Sequence, residues 1–383
     1  MAMGVQLSGP IAPVPREGIC VDIYLAPNCD MHPTAASRSP VMPALGGERS
    51  RPWVRPGRPA KWGGCAMTSI AKETTLRAAV VQAGAVPFDT EACVDKAVRL
   101  IGEAAALGAK VILFPEAFIP GYPKGLNYGL VVGARDAAGR EEFRLYFDAA
   151  IDVPGPHTQR LGEAAAAHGS YVVIGVIERE LGTCYCTVLF FAPDGRLLGK
   201  HRKLMPTAME RMIWGFGDGS TLTAVDSPYG RIGSVICWEN YMPMLRMAMY
   251  SKNVALYCAP TADDRDTWLA TMQHIALEGR CFVLTACQFL RKKEFPDTVR
   301  VSLGDSPDAV LMRGGSAIIS PLGKVLAGPH FGGETILTAT LDLNDIGRGK
   351  FDFDVAGHYS RPDVFQLIVN EAPMLAVVPK ARD

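Results

Sequence analysis

Three side chains in this sequence can do covalent chemistry if the fold brings them together: Cys237, Glu116 and Lys203. Cys237 stands in GlyArgIleGlySerValIleCysTrpGluAsn, after an apolar run with strand character and before ProMetLeuArgMetAlaMet, whose Pro243 suits a first helical turn. A strand-to-helix turn exposes its central side chain and offers free backbone N–H groups, which lower a thiol pKa and stabilise developing negative charge. Glu116 follows ValIleLeuPhePro, where a carboxylate is a burial error unless it lines a cleft. Lys203, in GlyLysHisArgLysLeuMetProThr, comes after a hairpin strand. Alone, each has a plainer reading: a core cysteine, an exposed loop acid and a solvated basic run. Together they supply a nucleophile, a proton acceptor and a cation for a developing anion.

Such a set needs strands that end side by side, and the pattern from Thr75 onward provides them. LeuArgAlaAlaValValGlnAla reads as a buried strand. Asp89 can then cap a helix in which Val94, Ala97, Val98, Ile101 and Ala105 share a face and Gly108 is the stop. ValIleLeuPhe at 111 to 114 is a second buried strand, and a helix around 156 to 168 ends at Gly169 and leads into TyrValValIleGlyValIleGlu. ProAspGly at 193 to 195 and ProLeuGly at 321 to 323 each turn a hairpin. Buried strands alternating with amphipathic helices predict an α/β fold with sheets covered on the outside.

Composition excludes several classes. The chain has 383 residues, 48% hydrophobic and 20% charged, in the range of an ordinary folded protein. Lys plus Arg and Asp plus Glu are 39 each and form no basic stripe, which argues against a nucleic-acid partner. No apolar run approaches the roughly 20 residues of a membrane span, so no membrane association is expected. Ten cysteines, several inside apolar runs, read as buried reduced thiols and point to a reducing, cytoplasmic compartment. Cys184 and Cys186 form one CxC without a second Cys or His cluster at zinc spacing, so no metal is expected. Residues 1–66 hold 10 of the 28 prolines and 8 of the 39 glycines without a sustained period of 3.6 or 2, and are read as a disordered or non-native extension. The functional body is then 67–383.

The blocks PheProGluAlaPheIleProGlyTyrPro, HisArgLysLeuMetProThr, TrpGlyPheGlyAspGlySer and CysTrpGluAsn closely resemble signatures of the nitrilase branch of the carbon-nitrogen hydrolase superfamily. The likeness runs over about residues 75 to 366 and includes AlaProThrAlaAsp at 259 to 263; its flavour is that of plant cyanoalanine-type nitrilases and their bacterial relatives. It implies a four-layer α-β-β-α sandwich with a Glu-Lys-Cys triad, carried over to Glu116, Lys203 and Cys237. A second family glutamate corresponds to Glu210, which either positions substrate and Lys203 or completes a buried ion pair. Trp238, Glu239 and Asn240 are expected to shape and brace the turn at the thiol. The segment 121 to 129 with Tyr122, the loop from Met209 to Trp214 and the loop from Ala262 to Trp268 are expected to wall the substrate pocket. No cofactor is implied. The partners implied are a small nitrile and further copies of the chain, a dimer or a larger spiral, with the segment from about 357 to 383 in the contacts.

A mechanism follows from the residue types. A nitrile carbon is a weak electrophile, so the thiolate must be made on the spot, with Glu116 accepting the proton of Cys237. Attack gives a thioimidate; water activated by Glu116 adds, Lys203 steadies the tetrahedral species, ammonia leaves, and a second water cleaves the thioester to the acid. If the tetrahedral species expels the thiol instead, the product is an amide. A cleft should raise the Glu116 pKa and Lys203 should pull it back. Rival readings are a cyanoalanine or cyanide hydratase, an amidase or carbamoylase on the same fold, a papain-like Cys-His hydrolase, and a non-enzymatic filament scaffold. For the papain-like reading, none of the seven histidines has the expected local context, and His201, His274 and His358 are read as structural.

Overall fold

Successive residues of a strand point to opposite faces, and in this chain both faces of the long strands are apolar, which requires cover on both sides. The structure is a computed structural model that describes residues 73–378; the expectation for residues 1–66 lies outside the described residues. The first half contains β1 (Thr75–Gln82), α1 (Thr90–Ala106), β2 (Val111–Leu113), α2 (Ala137–Ala149), α3 (Pro156–His168), β3 (Tyr171–Glu180), β4 (Thr183–Phe191) and β5 (Leu197–Arg202). The second half contains β6 (Ala224–Val225), β7 (Arg231–Ser234), α4 (Pro243–Ser251), β8 (Val254–Thr261), α5 (Thr267–Gly279), β9 (Phe282–Cys287), β10 (Phe289–Arg291), β11 (Val310–Ile319), β12 (Val325–Phe331), β13 (Thr335–Asp342) and α6 (Asn344–Lys350).

The strands form two sheets. One runs β13-β1-β2-β3-β4-β5 and the other β10-β11-β9-β8-β7-β6, with β12 paired to β11. Within them β1, β2 and β3 are parallel neighbours, as are β7, β8 and β9, so intervening helices pass over the outer faces. Ala78, Val80, Val111 and Leu113 of the first sheet pack in one core with Ile232, Leu256, Phe282 and Ile318 of the second. On the outer faces Ala79, Val81 and Ile112 pack against Ala97 and Ile101 of α1 and Leu161 of α3, and Val235, Tyr257 and Val283 pack against Met249 of α4 and Met272 of α5. The result is the α-β-β-α sandwich. Each fully buried Ile or Phe in these layers contributes about 2 kcal/mol of apolar transfer, which holds the strand ends in register.

Most expected elements are present, with two differences. In α1 the Asp89 cap accepts from Ala92 N–H as expected, but the buried stripe is Cys93, Val94, Ala97, Leu100, Ile101 and Ala104, with Val98 and Ala105 at its edge. Side chains of a helix lean toward its N-terminus, which shifts the covered stripe and lets Cys93 serve as a core residue. No helix is expected from the sequence between residues 114 and 156, yet α2 forms there. Its sparse apolar stripe buries Tyr146 and also Glu142, which accepts from Arg300 Nε at 2.6 Å. Among the described residues no helix is long and apolar enough to cross a membrane. After α6, residues 351–378 run without helix or strand and expose Phe365, Ile368, Met374, Leu375 and Val378. The start of this stretch is tied to the rest by Arg280, which pairs with Asp352 and lies over Phe353, and by Val355 and Ala356 packed against the second-sheet core; further on, Lys252 Nζ meets Glu371 at 2.5 Å and Met374 N–H donates to Asp218 Oδ2 at 2.7 Å.

Candidate active site

Three strand ends converge where the two sheets meet. The chain leaving β2 passes through Pro115 to Glu116 and crosses β3 at Gly175, where an added Cβ would lie 2.3 Å from the Pro115 carbonyl oxygen. Only glycine permits that approach. Gln288 holds the other side, its Nε2 donating to the Glu116 carbonyl oxygen at 2.9 Å while its Oε1 accepts from Ala85 N–H at 3.0 Å. Lys203 follows β5 directly, and its N–H donates to the Cys186 carbonyl oxygen at 2.8 Å. Cys237 opens a 3₁₀ turn, Cys237–Tyr241, between β7 and α4, with a left-handed backbone at φ 52°. A non-glycine residue in that region is strained, and the surrounding bonds hold it there.

Those bonds come from the residues expected to brace the turn. Glu239 accepts from Ile236 N–H at 2.9 Å, from Leu204 N–H at 2.6 Å and from His201 Nε2 at 3.1 Å, so one carboxylate ties the thiol turn to the residue after Lys203. Asn240 Nδ2 donates to the carbonyl oxygens of Cys237 at 2.7 Å and Val235 at 3.1 Å. His201 is structural, as expected: burial opposes its charge, but Glu239 and the Thr221 carbonyl outweigh that and its pKa is raised. Trp238 is partly exposed, donates to Asp263 at 2.9 Å and lies under Arg265.

At the centre, Lys203 Nζ donates to Glu116 Oε1 at 2.6 Å and to Glu210 Oε2 at 2.7 Å, with all three side chains buried. Glu210 also accepts from Thr207 N–H and from Tyr122 OH, each at 2.6 Å. Trp214 lies edge-on to Tyr122 and presents its ring to the Lys203 ammonium at 5.5 Å. Glu116 Oε2 has no hydrogen-bond partner among the described residues. Burial raises the Glu116 pKa, Lys203 pulls it down and Glu210 pushes it up again; burial wins, and the carboxyl stands above its ordinary range. Burial works against a charge on Lys203, but Glu116, Cys237 and Glu210 outweigh it, so the ammonium is retained.

The thiol departs from the sequence expectation. A free strand-to-helix turn lowers a thiol pKa, yet burial pushes Cys237 well up, and the carboxylates of Glu116 and Glu210 add to it. Its sulfur accepts from Thr261 Oγ1 at 3.1 Å. The thiol therefore rests protonated, and the unfilled oxygen of Glu116 is the acceptor suited to take its proton during attack.

The segment with Tyr122, Lys124, Leu126 and Tyr128 does face Met209, Glu210 and Ile213 across one cavity of about 150 Å³ beside this centre. The loop from Ala262 to Trp268 does not join it. Asp263, Asp264, Arg265, Asp266, Trp268 and Leu269 line a separate hollow with Gly315, Pro329 and Phe331, where Asp263 is held by Arg265 and Trp238, while Ala262 is buried in a core cluster. Sequence reasoning missed Thr261, Gln288 and Cys186. Thr261 lies inside the AlaProThrAlaAsp block and was available; Cys186 was visible only as half of a CxC, and Gln288 carries no local signal.

The carbon-nitrogen hydrolase family is matched over residues 77–351. The chain is 63% identical over 308 residues to an aliphatic nitrilase of Sinorhizobium fredii (strain HH103), covering 80% of this chain and 100% of the relative. It is 56% identical over 312 residues to a bifunctional nitrilase/nitrile hydratase of Lupinus angustifolius, covering 80% and 89%. In fold it is similar to Saccharomyces cerevisiae Nit3, a member of branch 10 of the nitrilase superfamily, with a TM-score of 0.57 at 22% identity over 75% of this chain and 97% of that one.

Proposed function

Because this chain belongs to the carbon-nitrogen hydrolase family, we propose that it is a nitrilase that converts an organic nitrile to a carboxylic acid and ammonia, with an amide as by-product. The observation that supports the residue roles is the buried Glu116 carboxylate with one oxygen on Lys203 and the other unfilled, beside a protonated thiol. Glu116 takes the proton as Cys237 adds to the nitrile carbon, and the resulting thioimidate nitrogen is protonated in turn. Water then adds with Glu116 as base. Lys203, cationic throughout, steadies the tetrahedral species. Collapse with loss of ammonia leaves a thioester, which a second water cleaves to the acid; collapse with loss of the thiol leaves the amide. Glu210 orients Lys203, and Tyr122 and Trp214 shape the approach.

The test is ammonia release by the purified protein from a panel of cyanoalanine, phenylacetonitrile, benzonitrile and fumaronitrile, with acid and amide separated. Acid with ammonia as the main product supports the reading. Hydrolysis of amides or carbamoyl compounds with no turnover of any nitrile would replace it with the amidase reading. We further assign the functional body to residues 67–383 and the exposed apolar segment near the C-terminus to contacts between copies of the chain. A mass near 41 kDa in light scattering that holds on dilution, with full activity, would remove that assignment. The seven described cysteines are free, which suits a reducing compartment such as the cytoplasm.

A further inference from the structure

A thiol other than that of Cys237 stands within hydrogen-bond distance of Glu116. Cys186 lies in the middle of β4, buried, paired with Ile177 across the ladder, with its Sγ 3.5 Å from Glu116 Oε1. Oε1 thus has two donors, Lys203 Nζ and the Cys186 S–H, while Oε2 has none among the described residues. The carbonyl of Cys186 also accepts the Lys203 N–H, so one strand residue touches both the carboxylate and the backbone of the lysine that pairs with it. A thiol is a weak donor, but aimed at a charge in a dry site it counts for more than it does in water.

We propose that Cys186 is a positioning residue for Glu116: its S–H and the Lys203 ammonium together occupy Oε1, which leaves Oε2 as the oxygen that takes the proton of Cys237. This rests on the nitrilase reading of Glu116 as base and Cys237 as nucleophile. The titratable groups facing Glu116 are Lys203 after β5, Glu210 from a second 3₁₀ turn at Ala208–Met212, Cys237 after β7, Tyr122 from the loop after β2, Cys287 at the end of β9 and Cys186 on β4. Removing Lys203 or Glu210 changes the net charge of the centre. Removing the Cys186 thiol does not, since burial and the nearby Glu116 carboxylate keep it protonated. Donation to a carboxylate favours its ionised form, so loss of the S–H must raise the Glu116 pKa and move the acid limb of activity to higher pH.

The test compares the full chain with Cys186→Ala and Cys186→Ser by two profiles. One is kcat/KM against pH for a nitrile. The other is the rate of Cys237 alkylation by iodoacetamide against pH, with the modified peptide identified by mass. Cys186→Ala is expected to shift the acid limb of both profiles upward by about half a pH unit and to lower kcat about three- to tenfold, with unchanged circular dichroism. Cys186→Ser restores a donor and is expected to bring both limbs back to the parent position or below it. A folded Cys186→Ala protein with parental profiles overturns the proposal, and so does a Cys186→Ser protein shifted upward like the alanine variant, which would mark the thiol as core filling. If the alanine variant does not fold, the serine variant alone decides by the same rule. Alkylation needs no nitrile turnover: a parent inactive on nitriles whose alkylation profile still moves in Cys186→Ala ends the nitrilase reading and leaves this one standing.

Discussion

Glu116, just past β2, and Glu178, on β3, are both buried acids paired with lysine, and their oxygens are filled differently. Glu178, on β3, has every oxygen filled: Lys200 Nζ at 2.5 Å and Arg202 Nη2 at 2.6 Å on Oε1, Arg202 Nε at 2.9 Å and Thr187 Oγ1 at 3.0 Å on Oε2. Arg202 is itself anchored by Glu180 and stacks over Tyr185. Glu116 has Lys203 and a thiol on one oxygen and, among the described residues, no hydrogen-bond partner on the other. Burial and an ion pair are thus common to both and do not mark chemistry. A buried network whose oxygens are all filled fixes the fold, whereas an unfilled oxygen keeps a capacity to accept a proton.

The largest effect that this contrast predicts lies on the thiol. Cys237→Ala should lower nitrile turnover by more than about 10³-fold while the protein folds and assembles as the parent, since its loss leaves a small void; retention of more than about a tenth of the parent rate would sink the nucleophile assignment. Next come the two acids exchanged for amides. Glu116→Gln should also cost about 10³-fold in kcat. Glu178→Gln should leave kcat within about threefold but lower unfolding stability by about 3 kcal/mol in urea titration, because it takes the buried charge away from Lys200 and leaves Arg202 with Glu180 alone. The comparison breaks if Glu178→Gln proves the more damaging to turnover. The parent pH profile sharpens it: Glu116 must be ionised to accept a proton and burial raises its pKa, so kcat/KM should fall as pH drops through a value above the ordinary 4.3 or so. An acid limb that is the same in Glu116→Asp as in the parent would tell against the base.

How far this contrast was legible in the sequence differs between the two acids. Glu116 stands after an apolar run that ends in proline, and its position past a strand end marks it only because Lys203 and Cys237 stand at strand ends too. Lys203 and Cys237 were marked in the same way, and the hairpin turns at Gly195 and Gly323, with φ of 86° and 77°, were fixed by local chemistry. What was not legible depends on contacts between distant segments. Glu178 and Arg202 lie in strands that pair only through β4, and Cys186 meets Glu116 across 70 positions of sequence. The depth of burial that lifts the Cys237 pKa is likewise a property of two sheets closing on each other, so the local turn alone pointed the wrong way. Helix α2 escaped because its buried face includes Glu142, whose Arg300 partner lies far along the chain.

Glu210 lies between the two extremes and gives the smaller effects. Like Glu178 it is well provided with donors, from Lys203, Thr207 N–H and Tyr122 OH; like Glu116 it touches the cation of the centre. Glu210→Gln keeps the shape but weakens the hold on Lys203, and a loss of about 10- to 100-fold in kcat is expected, between those of the two other acids. A loss as large as that of Glu116→Gln would make it a second base.

The smallest change removes a single donor from that third acid. Tyr122→Phe deletes only the hydroxyl at 2.6 Å from Glu210 Oε1 and keeps the ring, its edge-on contact with Trp214 and the cavity wall. Glu210 retains Lys203 and the Thr207 N–H on Oε2, so the carboxylate has one oxygen held and one released. If partial satisfaction frees a buried acid, as the contrast of Glu116 with Glu178 implies, Glu210 becomes less firmly placed and Lys203 less firmly aimed. The loss of one hydrogen bond to a charged group is worth about 1.5–3 kcal/mol when it leaves that group buried and unpaired. Glu210 lines a cavity and is not sealed on all sides, so a kcat reduction of about three- to tenfold is expected, with KM changed less. Steady-state kinetics on one nitrile checks it. A Tyr122→Phe enzyme that loses as much as Glu210→Gln would show that the phenol acts on substrate directly and not through the glutamate.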